Sequence, residues 1–173
     1  MVKKFDNWND LFKHLEQTVE LNLPTVAQKI ANILKMYVRE NWYDKYEPLY
    51  YERTMDVLNS ITVDKIKKNG NILEVEIYFD KNKIEQKEST FPLPEGYIRF
   101  HHHMSIDGST TYGNMSIAEW VVYWMNYGQH SPLYSYDGVH FIEKTIEWTE
   151  RDKYHIKKLK ELLEQNGFRC TLR

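Results

Sequence analysis

Tyr46-Glu-Pro-Leu-Tyr-Tyr-Glu-Arg-Thr-Met-Asp-Val-Leu-Asn-Ser-Ile61 is where this chain changes its period. Upstream of it Val26, Ile30, Ile33, Leu34, Tyr37 and Asn41 recur at helical spacing, which predicts an apolar stripe on a helix reaching about Trp42. Downstream the period is two. Ile61 and Val63, and then Leu73, Val75, Ile77 and Phe79, alternate with polar neighbours on either side of Asn69-Gly70, so an antiparallel hairpin is expected. Its register can be worked out from the pattern. A two-residue Asn-Gly turn would set Ile61 opposite Tyr78 and split the apolar sets between the two faces. An odd loop centred on Gly70, or a bulge near Asp64, sets Ile61 opposite Phe79 and Val63 opposite Ile77, and that register is expected.

Working outward, Asp6 or Asn7 caps a first helix to about Val19, with Trp8, Leu11, Phe12 and Leu15 at helical spacing and packed on its neighbour. Pro24 and Thr25 punctuate a second start, where Thr25 and Gln28 form a capping box. Residues 80–115 read as a long polar loop or insertion, interrupted by a candidate strand at Tyr97-Ile-Arg-Phe100. Ser116-Ile-Ala-Glu119 is a second capping box, with Met115 stapling to Trp120, so a helix must start there. That helix is apolar on nearly every side and ends at Gly128. Residues 129–140 read as a turn-rich loop. From Phe141 one long helix is expected to Asn166, with Ile142, Ile146, Ile156, Leu159 and Leu163 on its apolar face and Gly167 past its end; 168–172 can add an edge strand. The fold class is therefore α+β, with N-terminal helices and a long C-terminal helix packed on a small antiparallel sheet. A chain of 173 residues fits a single domain, 1–173.

A formal net charge of -2 supplies no global attraction for nucleic acid. The one cysteine, Cys170, cannot form an intramolecular disulfide, and Met1-Val-Lys-Lys-Phe-Asp-Asn-Trp8 has no apolar run of the signal-peptide kind, so synthesis in a reducing cytoplasm is expected. The longest apolar run, Trp120 to Met125, is far below the ~20 residues of a membrane span. Aromatic residues make up 14% of the chain, including 13 Tyr and 5 Trp. Such side chains suit surfaces that close on assembly, and a low-GC genome favouring Tyr, Lys and Asn codons accounts for them equally well.

Candidate chemistry is sparse. In a strand, His101 and His103 of His101-His-His103 would share a face and could hold a divalent metal with His130, His140 or a carboxylate. No Cys is placed to help and no His-Glu-x-x-His helix is present, so solvated or interface histidines are the expectation. Glu74/Glu76 and Glu161/Glu164 are paired carboxylates on a strand's polar face and on a Lys-rich helix, where pairing with Lys157, Lys158 or Lys160 explains the second pair. There is no P-loop, no G-x-G-x-x-G and no G-x-S-x-G phrase. Lys65, Lys67 and Lys68 at the hairpin tip can touch DNA backbone or a neighbouring subunit, or serve as solvated edge lysines. The chain is accordingly expected not to be an enzyme, with no catalytic residue, no resident metal and no cofactor.

The Tyr46–Ile61 phrase, with Met125-Asn-Tyr-Gly-Gln129 and Phe141-Ile-Glu-Lys-Thr-Ile146 far downstream, resembles the head–tail connector family of long-tailed bacteriophages, the neck or tail-completion subunits also described as minor capsid proteins. The likeness covers roughly 24–79 and 116–147 and rests on Tyr50, Arg53, Thr54, Leu58, Ser60, Tyr127, Gly128 and Phe141. Met55 departs from it, standing where the family often has Gly, and the 80–115 segment is longer than usual. The resemblance implies a homo-oligomeric ring at the head–tail junction of a virion, between a portal or head-completion protein and a tail-terminator or tail-tube protein, with DNA in its lumen and no membrane. Tyr50, Tyr51, Arg53, Trp120, Tyr123, Trp124, Tyr127 and Phe141 would then be its assembly interface. Two other readings stay open: a small phage-encoded protein that binds a host factor, and a metal-dependent hydrolase using the 101–103 histidines.

Overall fold

The structure, a computed structural model, describes residues 5–45, 55–84, 111–112, 115–130 and 135–171. The candidate strand at 97–100 lies outside them. The described residues are mostly helical, with short antiparallel hairpins, in keeping with an α+β chain. The chain divides into two compact units, 1–33 with 63–77 and 145–173, and 34–62 with 78–144.

Helix α1 runs unbroken from Trp8 to Val38 with Pro24 inside it, and a π-turn follows at Arg39–Tyr43. Asn7 caps it, its Oδ1 accepting from the Asp10 amide at 2.9 Å while its Nδ2 donates to the Asp10 carboxylate. The two helices expected around Pro24 are thus one, and Thr25 and Gln28 are interior residues rather than a capping box. Proline removes one backbone donor and costs an interior helix about 3 kcal/mol. The stripe immediately after it, Val26, Ala27, Ala31, Ile33, Leu34, Val38 and Trp42, is buried and keeps the helix in place. The first turns differ from expectation: the Trp8 and Phe12 rings lie 6.2 Å apart, tilted to each other, but are 73% and 60% exposed.

A short helix α2, Asp56–Ser60, leads into strand β1, Ile61–Val63; β2 (Lys67–Asn69), β3 (Ile72–Glu74) and β4 (Ile77–Phe79) follow. The tip turns at Gly70-Asn71, pairing Lys67 with Glu74 and Asn69 with Ile72. Lower down, the Asp80 amide donates to Ser60 O at 2.9 Å and the Asp64 amide to Glu76 O at 2.8 Å, which sets Ile61 against Phe79 and Val63 against Ile77. Between the two ladders, Lys65 and Ile66 face Val75 alone. The tip is therefore an even turn, and a bulge beside Asp64 supplies the extra residue that restores the apolar register.

Further hairpins occupy segments expected to be loop. β5 (Thr111–Tyr112) pairs with β6 (Met115–Ser116), and β7 (Gly128–His130) pairs with β8 (Ser135–Asp137). Helix α3 covers Ile117–Tyr127, starting directly after Ser116 and ending against Gly128, whose φ is 85°. The expected long C-terminal helix is two, α4 (Phe141–Asp152) and α5 (Tyr154–Gln165), separated by Lys153 at φ 47°. A left-handed lysine costs about 1–2 kcal/mol, and no Gly or Pro marks the break; Ile146 and Ile156, expected on one apolar face, are both exposed. Gly167, at φ 90°, closes α5 with the Phe168 amide donating to Leu163 O at 3.0 Å; 168–171 add no strand.

Candidate functional site

Helix α3 and the start of α4 carry the two distant phrases, and they meet through one residue. Asn126 is fully buried. Its Oδ1 accepts from the Ile142 amide at 3.0 Å, satisfying a donor that the first turn of α4 leaves open, and its Nδ2 donates to Glu143 Oε2 at 2.8 Å. The backbone joins in: the Val139 amide donates to Met125 O at 3.1 Å and the His140 amide to Asn126 O at 2.9 Å. Such an approach needs a residue without a side chain at Gly138, where a Cβ would lie 2.1 Å from Asn126 O.

Electrostatics tighten the same junction. Partial burial pushes the Glu143 carboxyl up, but bonds from Asn126, from its own backbone amide and from Tyr127 outweigh that and hold it below the ordinary carboxylate range. The Tyr127 hydroxyl is pushed up by its bond to the Glu143 carboxylate, and by burial. Because the folded value of Glu143 is depressed, its contribution to stability is complete above the ordinary carboxylate pKa and is lost as pH falls through the folded value.

The expected interface residues divide sharply. Phe141 is fully buried, 5.9 Å from the Phe79 ring, so it belongs to the scaffold and not to a surface. Trp124 is half-buried and meets Trp42 edge-on at 5.3 Å. Leu58 and Ser60 are buried, the Ser60 hydroxyl donating to Val57 O at 2.8 Å. Tyr123 and Tyr127, one turn apart on α3, are 50% and 44% exposed with ring centroids 4.8 Å apart. Trp120 lies in α3, its side chain outside the described set; Tyr50, Tyr51, Arg53 and Thr54 lie outside the described residues. Met55, where the connector family often has Gly, sits at φ 59°, a conformation glycine adopts without strain.

At the hairpin tip two of the three lysines are already matched. Lys67 bridges Asp64 at 3.2 Å and Glu76 at 3.1 Å across the bulge, and Lys68 pairs with Glu16 of α1. The Glu76 bond, then Asp64, raises the Lys67 ammonium; Glu16 does the same for Lys68; the Lys65 amide and Lys67 lower Asp64. Lys65 is exposed. Local carboxylates thus blunt the positive field that a DNA contact would draw on.

His101, His102 and His103 lie outside the described residues, and among those described no group of three or more His, Cys, Asp and Glu side chains is placed to hold a metal ion. His140 instead sits edge-on to Tyr127 at 6.3 Å, its Nδ1 3.9 Å from Glu143 Oε2. Among the described residues no helix is long and apolar enough to cross a membrane. The residues not anticipated as functional are Asn126, Gly138 and Glu143. Their signals were a lone amide closing an apolar helix, a glycine in an apparent loop, and an acid in a first helical turn.

Residues 7–165 match the sequence profile of the YomN family, which supports a bacteriophage protein. Neither the curated proteins nor the solved structures contain a match.

Proposed function

The chain belongs to the YomN family, and from that premise we propose that it is a non-enzymatic structural subunit of a bacteriophage neck, one of many copies in a ring joining head to tail. One observation supports the reading above the rest. The two phrases that carry the connector resemblance, Met125–Gln129 and Phe141–Ile146, lie far from one another along the chain yet are joined by the buried Asn126 to Glu143 and Ile142. Met55 at φ 59° adds to it, since the family's Gly and this chain's Met would then occupy the same left-handed turn.

In this reading the buried members of the pattern, Leu58, Ser60 and Phe141, build the scaffold, and exposed Tyr123 and Tyr127 face a neighbour. A closed ring joins two different patches on successive copies. The neighbours above and below would be a portal or head-completion protein and a tail-terminator or tail-tube protein. Lys65 is the tip residue most available to touch a neighbour or lumenal DNA.

Electron microscopy of lysates from the source bacteriophage after deletion of the gene tests the reading. Filled heads lying apart from complete tails are expected. Normal joined virions would overturn it and favour a protein that binds a host factor.

A further inference from the structure

The exposed face of α3 ends in a corner where two half-exposed rings lie beside a carboxylate that the fold anchors but leaves partly open to solvent. Tyr123 and Tyr127 present two ring faces tilted by 46° with centroids 4.8 Å apart. The Tyr127 hydroxyl lies beside the Glu143 carboxylate, which pushes it up. Glu143, in turn, is fixed by buried Asn126 while its side chain remains 45% exposed. His140 closes the other side, edge-on to Tyr127 at 6.3 Å. The result is an aromatic floor beside an anchored carboxylate.

A planar cation complements both parts at once. A guanidinium can lie flat on a tyrosine face while its N–H groups reach the carboxylate; a compact ammonium matches only the charge. Resting on the neck reading for the choice of partner, we propose that this corner is the docking site for an arginine side chain of the next copy of the chain. Charge complementarity and the ring argue for a second copy. Successive subunits in a ring present unlike patches to each other, and among the described residues this chain exposes Arg39, Arg169 and, paired with Asp152, Arg151.

The isotope-labelled full chain is titrated with a terminally blocked Gly-Arg-Gly peptide and with its citrulline counterpart, which keeps the shape and loses the charge. Saturable shifts of the Tyr123, Tyr127 and Glu143 amides are expected with arginine, with binding about tenfold weaker for citrulline and for Glu143→Gln. Glu143→Gln keeps an oxygen for the Asn126 bond, and a thermal melt checks that it folds. Tyr123→Ala, at an exposed ring, is expected to weaken binding without altering the melt. Absence of a saturable shift, or equal response to both peptides, overturns the docking site. The partner is tested by selecting suppressors of Glu143→Arg in the bacteriophage, or of Glu143→Gln where the arginine variant does not fold. Suppressors that replace Arg39 or Arg169 in the same gene support a second copy, and suppressors confined to another gene overturn that assignment. If the deletion leaves joined virions, the neck reading fails while the peptide titration still decides the chemistry of the corner.

Discussion

The Asn126–Glu143 junction and the hairpin tip are both held by polar contacts, yet they work by different physics. At the junction a fully buried amide answers a backbone donor and a carboxylate that is itself half-exposed. Losing it leaves those groups unpaired, which costs more than the bond is worth in water. At the tip, Lys67 sits between Asp64 and Glu76, with Lys67 and Glu76 exposed and Asp64 partly so. Solvent and salt screen those charges, so the contacts order the bulge without adding much stability. Burial, and not the number of polar contacts, separates an essential junction from a replaceable one.

The comparison is broken most severely by Asn126→Ala. It should cost about 3 kcal/mol, from a lost pair of bonds and an unanswered Ile142 amide. Urea unfolding measures it, and a loss as small as that of a surface substitution would mean that the junction opens to water. Gly138→Ala comes next: the added methyl meets Asn126 O, and a loss of about 2 kcal/mol is expected by the same measurement. Met55→Gly sharpens the picture in the opposite direction. Relief of the left-handed conformation slightly exceeds the entropy glycine loses, so the variant should be about 0.5 kcal/mol more stable. A destabilised variant would show that the methionine side chain is worth more than the strain. The smallest effect belongs to Lys67→Met, whose unfolding midpoint should coincide with that of the parent chain; a clear drop would show that the tip pairs are not screened.

Much of the local structure was legible. The Asn7 cap, the α3 start after Ser116 and the glycine ends at Gly128 and Gly167 were all readable from a few neighbouring residues. So was the need for one extra residue in the hairpin, which puts Ile61 and Phe79 on one face, although the alternation left open whether the turn or a bulge near Asp64 supplies it. Of the interface residues, the aromatic content of α3 was visible, but which rings point outward was not: Tyr123 and Tyr127 are exposed while Phe141 is buried.

By itself, then, the sequence determined the periods, the Asn7 cap and the apolar register of the hairpin, since each depends on interactions within a few residues or on strict alternation along a strand. Only the tertiary structure decided that α1 continues through Pro24, that the C-terminal helix breaks at Lys153 without Gly or Pro, and that Asn126 reaches Ile142 and Glu143, 16 and 17 residues away. Those outcomes run against local preference or link separate elements. Their free energy comes from burial and from the cost of leaving buried groups unpaired, and neither exists until distant segments have come together.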